Sequence, residues 1–461
     1  MAFKEECGVF GIWNHEHAAR LTFLGLYALQ HRGQEAAGIV CFDTVQRYEH
    51  KGLGLVSEIF TDENIAHLPG RQGIGHVRYS TTGQNSIKNA QPLTAQLRLG
   101  EIALAHNGNI VNYAQLSQKL QASGAALFAS TDSEIFLHLL SREDQTDLGK
   151  GFLNVCSQVE GAFSLVVLTN KCLVAIRDPH GFRPLVLGYV TNDRGEKSPV
   201  VTSETCALDL IGAEFAREIA PGEIFVVTEE GERSYFLPKK DRLAHCIFEH
   251  VYFARPDSVV FGKSVYLARK KMGAELAKES PVDADLVIPV PDSGIPSALG
   301  FSDQSKIPFE LGIIRNQYVG RTFLQPLQSM RDYGVKIKLN PQWALLSGKK
   351  VVVIDDSLVR GTTSRKIINL IRQSGAKEVH VRIASPPTVS PCYYGVDTPQ
   401  KAQLIAAHYS HDQIRDFIGA DSLAYLTIEG MMRSYDYSPN THCAACFDGK
   451  YPTELFESLT V

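Results

Sequence analysis

From Gly8 to about Val227 the chain alternates short apolar runs, among them AFSLVVL, CLVAI and GEIFVV, with glycine, asparagine and proline breaks and intervening helical stretches. Runs of that length, rich in β-branched residues and closed by turn formers, read as strands, and the mixture predicts a layered α+β domain. Around Thr228 to Asp241 the text turns polar (EEGERSYFLPKKDR), which marks a boundary that few contacts need cross. Beyond it a helical segment from Ser264 to Lys278 precedes the strand-like DLVIPV, then KKVVVIDD, the helix SRKIINLIRQSGAKEV and the strand EVHVRIA. That alternation predicts a parallel sheet with crossover helices. Ile367, Ile368, Leu370 and Ile371 are expected to form one apolar face, with Gly375 as the helix stop. A helix packed in this way leaves the loop before it at the carboxyl ends of the strands, where open α/β sheets bind ligands.

Composition narrows the function classes. A chain of 461 residues exceeds one hydrophobic core, and two domains are expected. Lys plus Arg number 46 against 50 Asp plus Glu, so no basic excess points to nucleic acid and no polybasic run to a membrane surface. No apolar run approaches the roughly 20 residues of a membrane span. Met1 to Glu6 holds three charged residues rather than the apolar stretch of a signal peptide, so a cytoplasmic or plastid-like location is expected. Nine cysteines in this setting argue for buried thiols with some metal or catalytic roles, not for a disulfide framework.

The strand Val351 to Ile354 runs into Asp355-Asp356 and then Ser-Leu-Val-Arg-Gly-Thr-Thr-Ser before a helix. Adjacent carboxylates at a buried strand end are costly without a partner, which a cation or sugar hydroxyls would supply. Arg360, Gly361, Thr362, Thr363 and Ser364 offer N–H groups, hydroxyls and a helix start, together a phosphate cradle. The string VVVIDDSLVRGTTS resembles the motif by which type I phosphoribosyltransferases bind 5-phosphoribosyl 1-diphosphate (PRPP). That resemblance implies that Asp355 and Asp356 contact the ribose hydroxyls and Mg²⁺, while Arg360 to Thr363 hold the 5-phosphate. Upstream, the turn Val290 to Gly294 (VPDSG) resembles the pyrophosphate turn of the PRPP amidotransferases, with Ser293 a Mg²⁺ ligand. Mg²⁺ suits a site of few oxygen ligands completed by substrate phosphates. Arg315 to Lys338, basic and glycine-containing, looks like the family's lid over PRPP and places Arg321 among the PRPP-binding residues.

At the other end, Cys7 opens the apolar run CGVFGI. A cysteine there is by itself ordinary core. Its company changes the reading: LQHRGQE from Leu29, GHVRYST from Gly75, HNGN from His106 and STDSE from Ser130 follow in order. Together they resemble the N-terminal-nucleophile (Ntn) glutamine amidotransferases. In that chemistry a thiolate attacks the glutamine side-chain amide, and the cysteine's own α-amino group, with a pKa near ~8, serves as base. The resemblance implies Cys7 as nucleophile, the Asn107 side chain and Gly108 N–H as oxyanion hole, Arg78 on the glutamine carboxylate and Asp132 on its ammonium. It also requires a propeptide, Met1 to Glu6, cut before Cys7.

Cys246, Cys392 and the pair Cys443/Cys446 lie far from Cys7. A lone CxxC is compatible with a zinc half-site, a redox pair or two buried thiols, and spacing does not choose between zinc and iron–sulfur. One branch of the PRPP amidotransferases combines a cleaved propeptide with a 4Fe-4S cluster, and HCIFEHVYFARPDS, SPCYYGVDTP and HCAACFDGKYPTE resemble its ligand segments. Cys41, Cys156, Cys172 and Cys206 are expected in the core.

Taken over the chain, the resemblance implies a propeptide 1–6, an αββα Ntn glutaminase domain 7–235, an α/β type I phosphoribosyltransferase domain 240–440 with a mainly parallel sheet, and a cluster-bearing segment 441–461. It further implies a homotetramer under purine-nucleotide feedback, a structural cluster, and internal passage of ammonia from Cys7 to the ribose C1 after the lid closes. Two rivals remain: another amidotransferase, such as those making glucosamine phosphate or asparagine, which has no use for IDDSLVRGTTS or VPDSG; and a DNA-binding PRPP-sensing regulator, which has none for the glutamine pocket.

Overall fold

The computed structural model describes residues 7–79, 86–98, 100–128, 131–143, 146–316, 338–398 and 400–455. The expected propeptide and most of the expected lid, including Arg321, lie outside them. Gly8–Ile12 sits centrally in a seven-stranded sheet ordered Glu214–Glu218, Val186–Thr191, Lys197–Thr202, Gly8–Ile12, Gln72–Arg78, Ala36–Phe42, Arg47–Leu53. A six-stranded sheet faces it, ordered Gly231–Phe236, Glu223–Thr228, Cys172–Arg177, Gly161–Leu168, Gly100–Ile110, Leu93–Leu97.

The two-residue alternation of each strand decides which side chains fill which layer. Val9, Val40 and Ile74 from the first sheet meet Ala103, Ala105 and Val166 from the second in one buried core. The opposite face of the first sheet, with Phe10 and Ile39, is covered by the helices Ala18–Ala28 and Thr205–Leu210. The opposite face of the second, with Ile102 and Leu104, is covered by Glu134–Leu140 and Leu148–Cys156. The result is the αββα sandwich. Its central strands are apolar on both faces, which is why they read as continuous apolar runs.

The second half is built on four parallel strands in the order Leu286–Pro289, Lys350–Asp355, Glu378–Ile383, Ser422–Tyr425. The helices Val265–Glu279 and Ile295–Ser305 pack on one face, through Met272, Leu276 and Phe301. Thr362–Gln373 and His411–Ile418 pack on the other, through Ile367, Ile368, Ile371 and Ile414. Leu370 departs from the expected face and is only half-buried. At 100° per residue it falls about 107° from the centre of the other three, on the flank of the stripe. The two halves meet where the Ala244 N–H donates to the His180 carbonyl at 2.8 Å and the Cys246 N–H to the Phe182 carbonyl at 3.1 Å, and His245–Cys246 pairs in parallel with His442–Cys443. Among the described residues no helix is long and apolar enough to cross a membrane.

Helices Val265–Glu279 and Ile295–Ser305 approach closely because glycine stands at both contact points. A Cβ on Gly273 would lie 1.9 Å from the Ser297 carbonyl oxygen, and one on Gly300 would lie 1.8 Å from that of Lys270. Gly300→Ala is expected to force the helices apart and destabilise the protein by about 1–3 kcal/mol. A lowered midpoint of chemical unfolding checks this; an unchanged midpoint would show that the close approach contributes nothing.

Candidate active sites

Register places the glutamine-site residues. Gly8 pairs with Val77 and Val9 with His76, so Cys7 and Arg78 continue the inward-facing rows that hold Val9 and Ile74. Asn107 continues the inward row of Ala103 and Ala105 on the facing sheet. The sheets are joined at this end by His76 Nε2, which donates to the His106 carbonyl at 3.0 Å. The three side chains therefore face one another between the sheets, at one edge of the sandwich.

Asn107 is 1% exposed, and its Nδ2 is a buried donor with no acceptor in reach among the described residues. A buried unpaired amide nitrogen costs about 1–3 kcal/mol, and an oxyanion would supply the missing acceptor. The next residue, Gly108, has φ +147°, and a Cβ there would meet the Ala162 carbonyl oxygen at 2.0 Å, so only glycine fits. Asp132 is buried, and its Oδ2 accepts the Ile110 N–H at 2.8 Å, just past Asn107–Asn109 on the same strand. The Cys7 thiol donates to the Tyr79 carbonyl at 3.5 Å.

Behind Cys7 stands a buried ion network. Arg32 Nε donates to the Cys7 carbonyl at 3.1 Å, and its two Nη atoms reach Glu204 at 2.5 Å and Glu249 at 2.7 Å. Burial opposes ionisation of Glu204, but His31 at 2.7 Å and Arg32 hold its carboxyl well below the usual range. Arg183 extends the network to Glu249 at 3.5 Å. The motif LQHRGQE contains Arg32, but sequence reasoning gave it no role. Its carboxylate partners stand 172 and 217 residues away, and nothing in the local pattern announces them.

In the second half, Asp355 and Asp356 end the strand Lys350–Asp355 and enter the following turn. Burial pushes both carboxyls up, Asp355 further through its neighbour's charge. Asp356 is hydrogen-bonded by Ser293 from the VPDSG turn and by Ser357 Oγ at 2.5 Å. Those two segments thus converge, as a metal site of few oxygens requires. Gly294 permits the approach, since a Cβ there would lie 2.6 Å from the Ile354 carbonyl oxygen. Gly361, at φ +71°, caps the helix Thr362–Gln373, whose first turn points open N–H groups toward this end of the sheet. Thr362 and Thr363 are exposed there, and Arg360 reaches Gln403 Oε1.

The four cysteines singled out in sequence line one small cavity with Phe182, Phe248 and Tyr394. Cys443 is pushed up to about 12 by burial, and Cys446 is raised by burial and by the other three sulfurs. Thiolates here need a neutralising cation. Among the described residues, the metal-donor atoms that lie in threes within 4.8 Å of one another belong to the surface group Glu16, His17 and Asp193. Among the described residues no three cysteine sulfurs lie within 4.8 Å of one another, whereas a tetrahedral zinc with Zn–S bonds of about 2.3 Å imposes separations of roughly 3.8 Å. A polynuclear core fits this spread. Tyr394 N–H donates to Cys392 Sγ at 3.3 Å, a bond of the kind that tunes cluster sulfurs. Cys41, Cys156, Cys172 and Cys206 are buried in the sandwich.

Comparison with known proteins agrees with both halves. Residues 76–209 match the glutamine amidotransferase domain family. The chain is 51% identical to a chloroplastic amidophosphoribosyltransferase of Glycine max over 98% of its own length and 79% of the relative's. It is 49% identical to the amidophosphoribosyltransferase of Synechococcus elongatus over 99% of this chain and 93% of that one. A solved structure of glutamine PRPP amidotransferase from B. subtilis, complexed with ADP and GMP, superposes with a TM-score of 0.92 at 45% identity, covering 98% of each chain.

The histidines flanking the glutamine site set an acid limit. Burial, with Arg78 and His106 nearby, pushes His76 down to about 3, and burial pushes His106 down as well. His76 therefore stays neutral in the folded protein as the pH falls through the unfolded value of about 6.5, with the lowered His106 acting in the same direction, so their contribution is intact above that value. As pH falls below that value, the unfolded chain takes up protons that the folded one refuses, at about 1.4 kcal/mol per pH unit per group. The melting temperature is expected to fall from about pH 6.5 toward about pH 5, less steeply in His76→Gln. A flat profile would mean that these rings titrate normally when folded.

Proposed function

The chain belongs to the amidophosphoribosyltransferase family, whose reaction is the first step of purine biosynthesis, and we propose that it divides that reaction between the two sites described above. The supporting observation is the buried, unpaired Asn107 Nδ2 on the inward row that faces Cys7 and Arg78. The domains are taken as 7–235 for glutamine hydrolysis and 240–440 for phosphoribosyl transfer, with a cluster-bearing segment 441–461. Removal of Met1 to Glu6 frees the Cys7 α-amino group.

In the first site Arg78 pairs with the glutamine α-carboxylate and Asp132 with its α-ammonium, a charge match at each end. The Cys7 amine takes the thiol proton, and the sulfur attacks the side-chain amide carbon. Asn107 Nδ2 and the Gly108 N–H receive the oxyanion that forms. Collapse expels ammonia and leaves a thioester, which water hydrolyses to glutamate. In the second site Asp355 and Asp356 orient the ribose hydroxyls, and the N–H groups and hydroxyls of Arg360 to Thr363 hold the 5-phosphate. Arg321 is placed with the PRPP-binding residues. Ammonia attacks C1 and pyrophosphate leaves, giving 5-phosphoribosylamine. Ser293, Asp355 and Asp356 would hold Mg²⁺, which would supply charge neutralisation for the pyrophosphate leaving group. A 4Fe-4S cluster on Cys246, Cys392, Cys443 and Cys446 is structural. Purine nucleotides are the feedback ligands, a homotetramer the assembly, and the cytoplasm or a plastid-like compartment the location.

Cys7→Ala is expected to abolish glutamine-dependent phosphoribosylamine formation and to spare the reaction with added ammonia, and mass spectrometry of active wild-type protein is expected to find Cys7 as its first residue. Ala2 as the first residue of active enzyme, or full glutamine-dependent activity in Cys7→Ala, would remove Cys7 as nucleophile.

A further inference from the structure

The segment after Cys392 touches the glutamine site directly. Asn109 Nδ2 donates to the Tyr393 carbonyl at 3.0 Å. A Cβ on Gly395 would lie 3.0 Å from both Cα and C of Gly108, and Gly395 itself holds φ +104°. Gly108 is thus pressed between the Ala162 carbonyl on one side and the Gly395 backbone on the other, a backbone-on-backbone contact that side chains would prevent. The segment is in turn held from the sandwich: Arg183 donates to the Tyr394 carbonyl through Nε at 2.9 Å and Nη2 at 2.5 Å, and Phe182 stacks on Tyr394 with centroids 4.2 Å apart. Its other end is fixed at Cys392, whose N–H donates to Thr398 Oγ1 at 2.6 Å.

We propose that Tyr393 to Gly395 is a positioning element for the oxyanion hole, with Asn109 and Gly395 as positioning residues that fix where the Gly108 N–H points. The inference rests on the reading of Asn107 and Gly108 as the oxyanion hole. That hole works only if its donors already lie where charge develops, and loss of one such donor costs about 100- to 1000-fold in turnover. A misplaced donor costs part of that. Because the same residues lie within three positions of Cys392, the oxyanion hole and the cysteine cavity share one short support.

Asn109→Ala deletes the bond to Tyr393, and Gly395→Ala forces the two backbones apart. The test measures glutamine hydrolysis at saturating PRPP, ammonia-dependent synthesis and the rate of Cys7 alkylation by iodoacetamide, which forms no oxyanion. In both variants kcat for glutamine hydrolysis is expected to fall about tenfold or more with KM for glutamine within about twofold. Ammonia-dependent synthesis and alkylation are expected to stay at wild-type rates. Unchanged glutaminase kcat in Asn109→Ala would overturn the proposal, as would a parallel fall of ammonia-dependent synthesis in that variant, which would mark a general structural loss. Gly395→Ala is the more disruptive change, so a folding failure there leaves the decision to Asn109→Ala. Asn107→Ala serves as the separate control: wild-type hydrolysis in that variant would refute the oxyanion-hole reading itself.

Discussion

The placement of both sites depends on one buried cation. Arg32 holds the carbonyl of Cys7 with one nitrogen and bridges Glu204 and Glu249 with the others, all three side chains being shielded from solvent. Glu204 belongs to the sandwich, whereas Glu249 opens the turn Glu249–Phe253, which packs with the second half. A buried pair of this kind is costly to assemble, and breaking it costs about 3–5 kcal/mol, because the remaining carboxylates stay buried without a counter-charge. The arrangement therefore has a single low-energy geometry and fixes the strand bearing Cys7 against the phosphoribosyl half.

The polar contacts continue beyond Glu249. Arg269, itself buried, donates to the carbonyls of His250 within that turn and of Ala254 just after it. Its charge in turn lowers the cost of ionising Asp356. On the opposite flank the cysteine-lined cavity draws on four separate stretches of chain, Phe182 of the sandwich among them, and the paired strands His245–Cys246 and His442–Cys443 bring two of them together. On the proposed assignment, ammonia made at Cys7 would be released inside a molecule whose two halves are held by buried charge on one side and by cysteine-bearing segments on the other. Rigid placement suits a reaction in which a neutral intermediate must reach a second site before water protonates it.

Much of this was legible in sequence because the chemistry is local. Asp355, Asp356 and the loop to Thr363 form one uninterrupted string, and a strand followed by a phosphate cradle has few other uses. CGVFGI and GHVRYST lie on paired strands, so register brings Cys7 and Arg78 to a common face, and Asn107 of HNGN meets them from the inward row of the opposite sheet. Arg32 was visible as a letter in a motif but not as a hub, since its partners are remote in sequence and burial cannot be read from a single charged residue. The same holds for Gly395, whose value lies in a contact with Gly108 from 287 residues earlier. Leu370 shows the converse limit: an apolar residue beside a helical stripe is drawn into the face by eye although the helix turns it to the flank. The four cysteines were legible as a set, and one cavity gathers them although they stand far apart in the chain.

The central claim is that two chemistries, each complete in its own half, operate as one reaction. It is tested most directly by measuring glutamate release from anaerobically purified protein with and without PRPP, while trapping phosphoribosylamine chemically. The account predicts that PRPP stimulates glutamate release and that trapped phosphoribosylamine appears in step with it. Glutamate release indifferent to PRPP, with no phosphoribosylamine trapped, would contradict it.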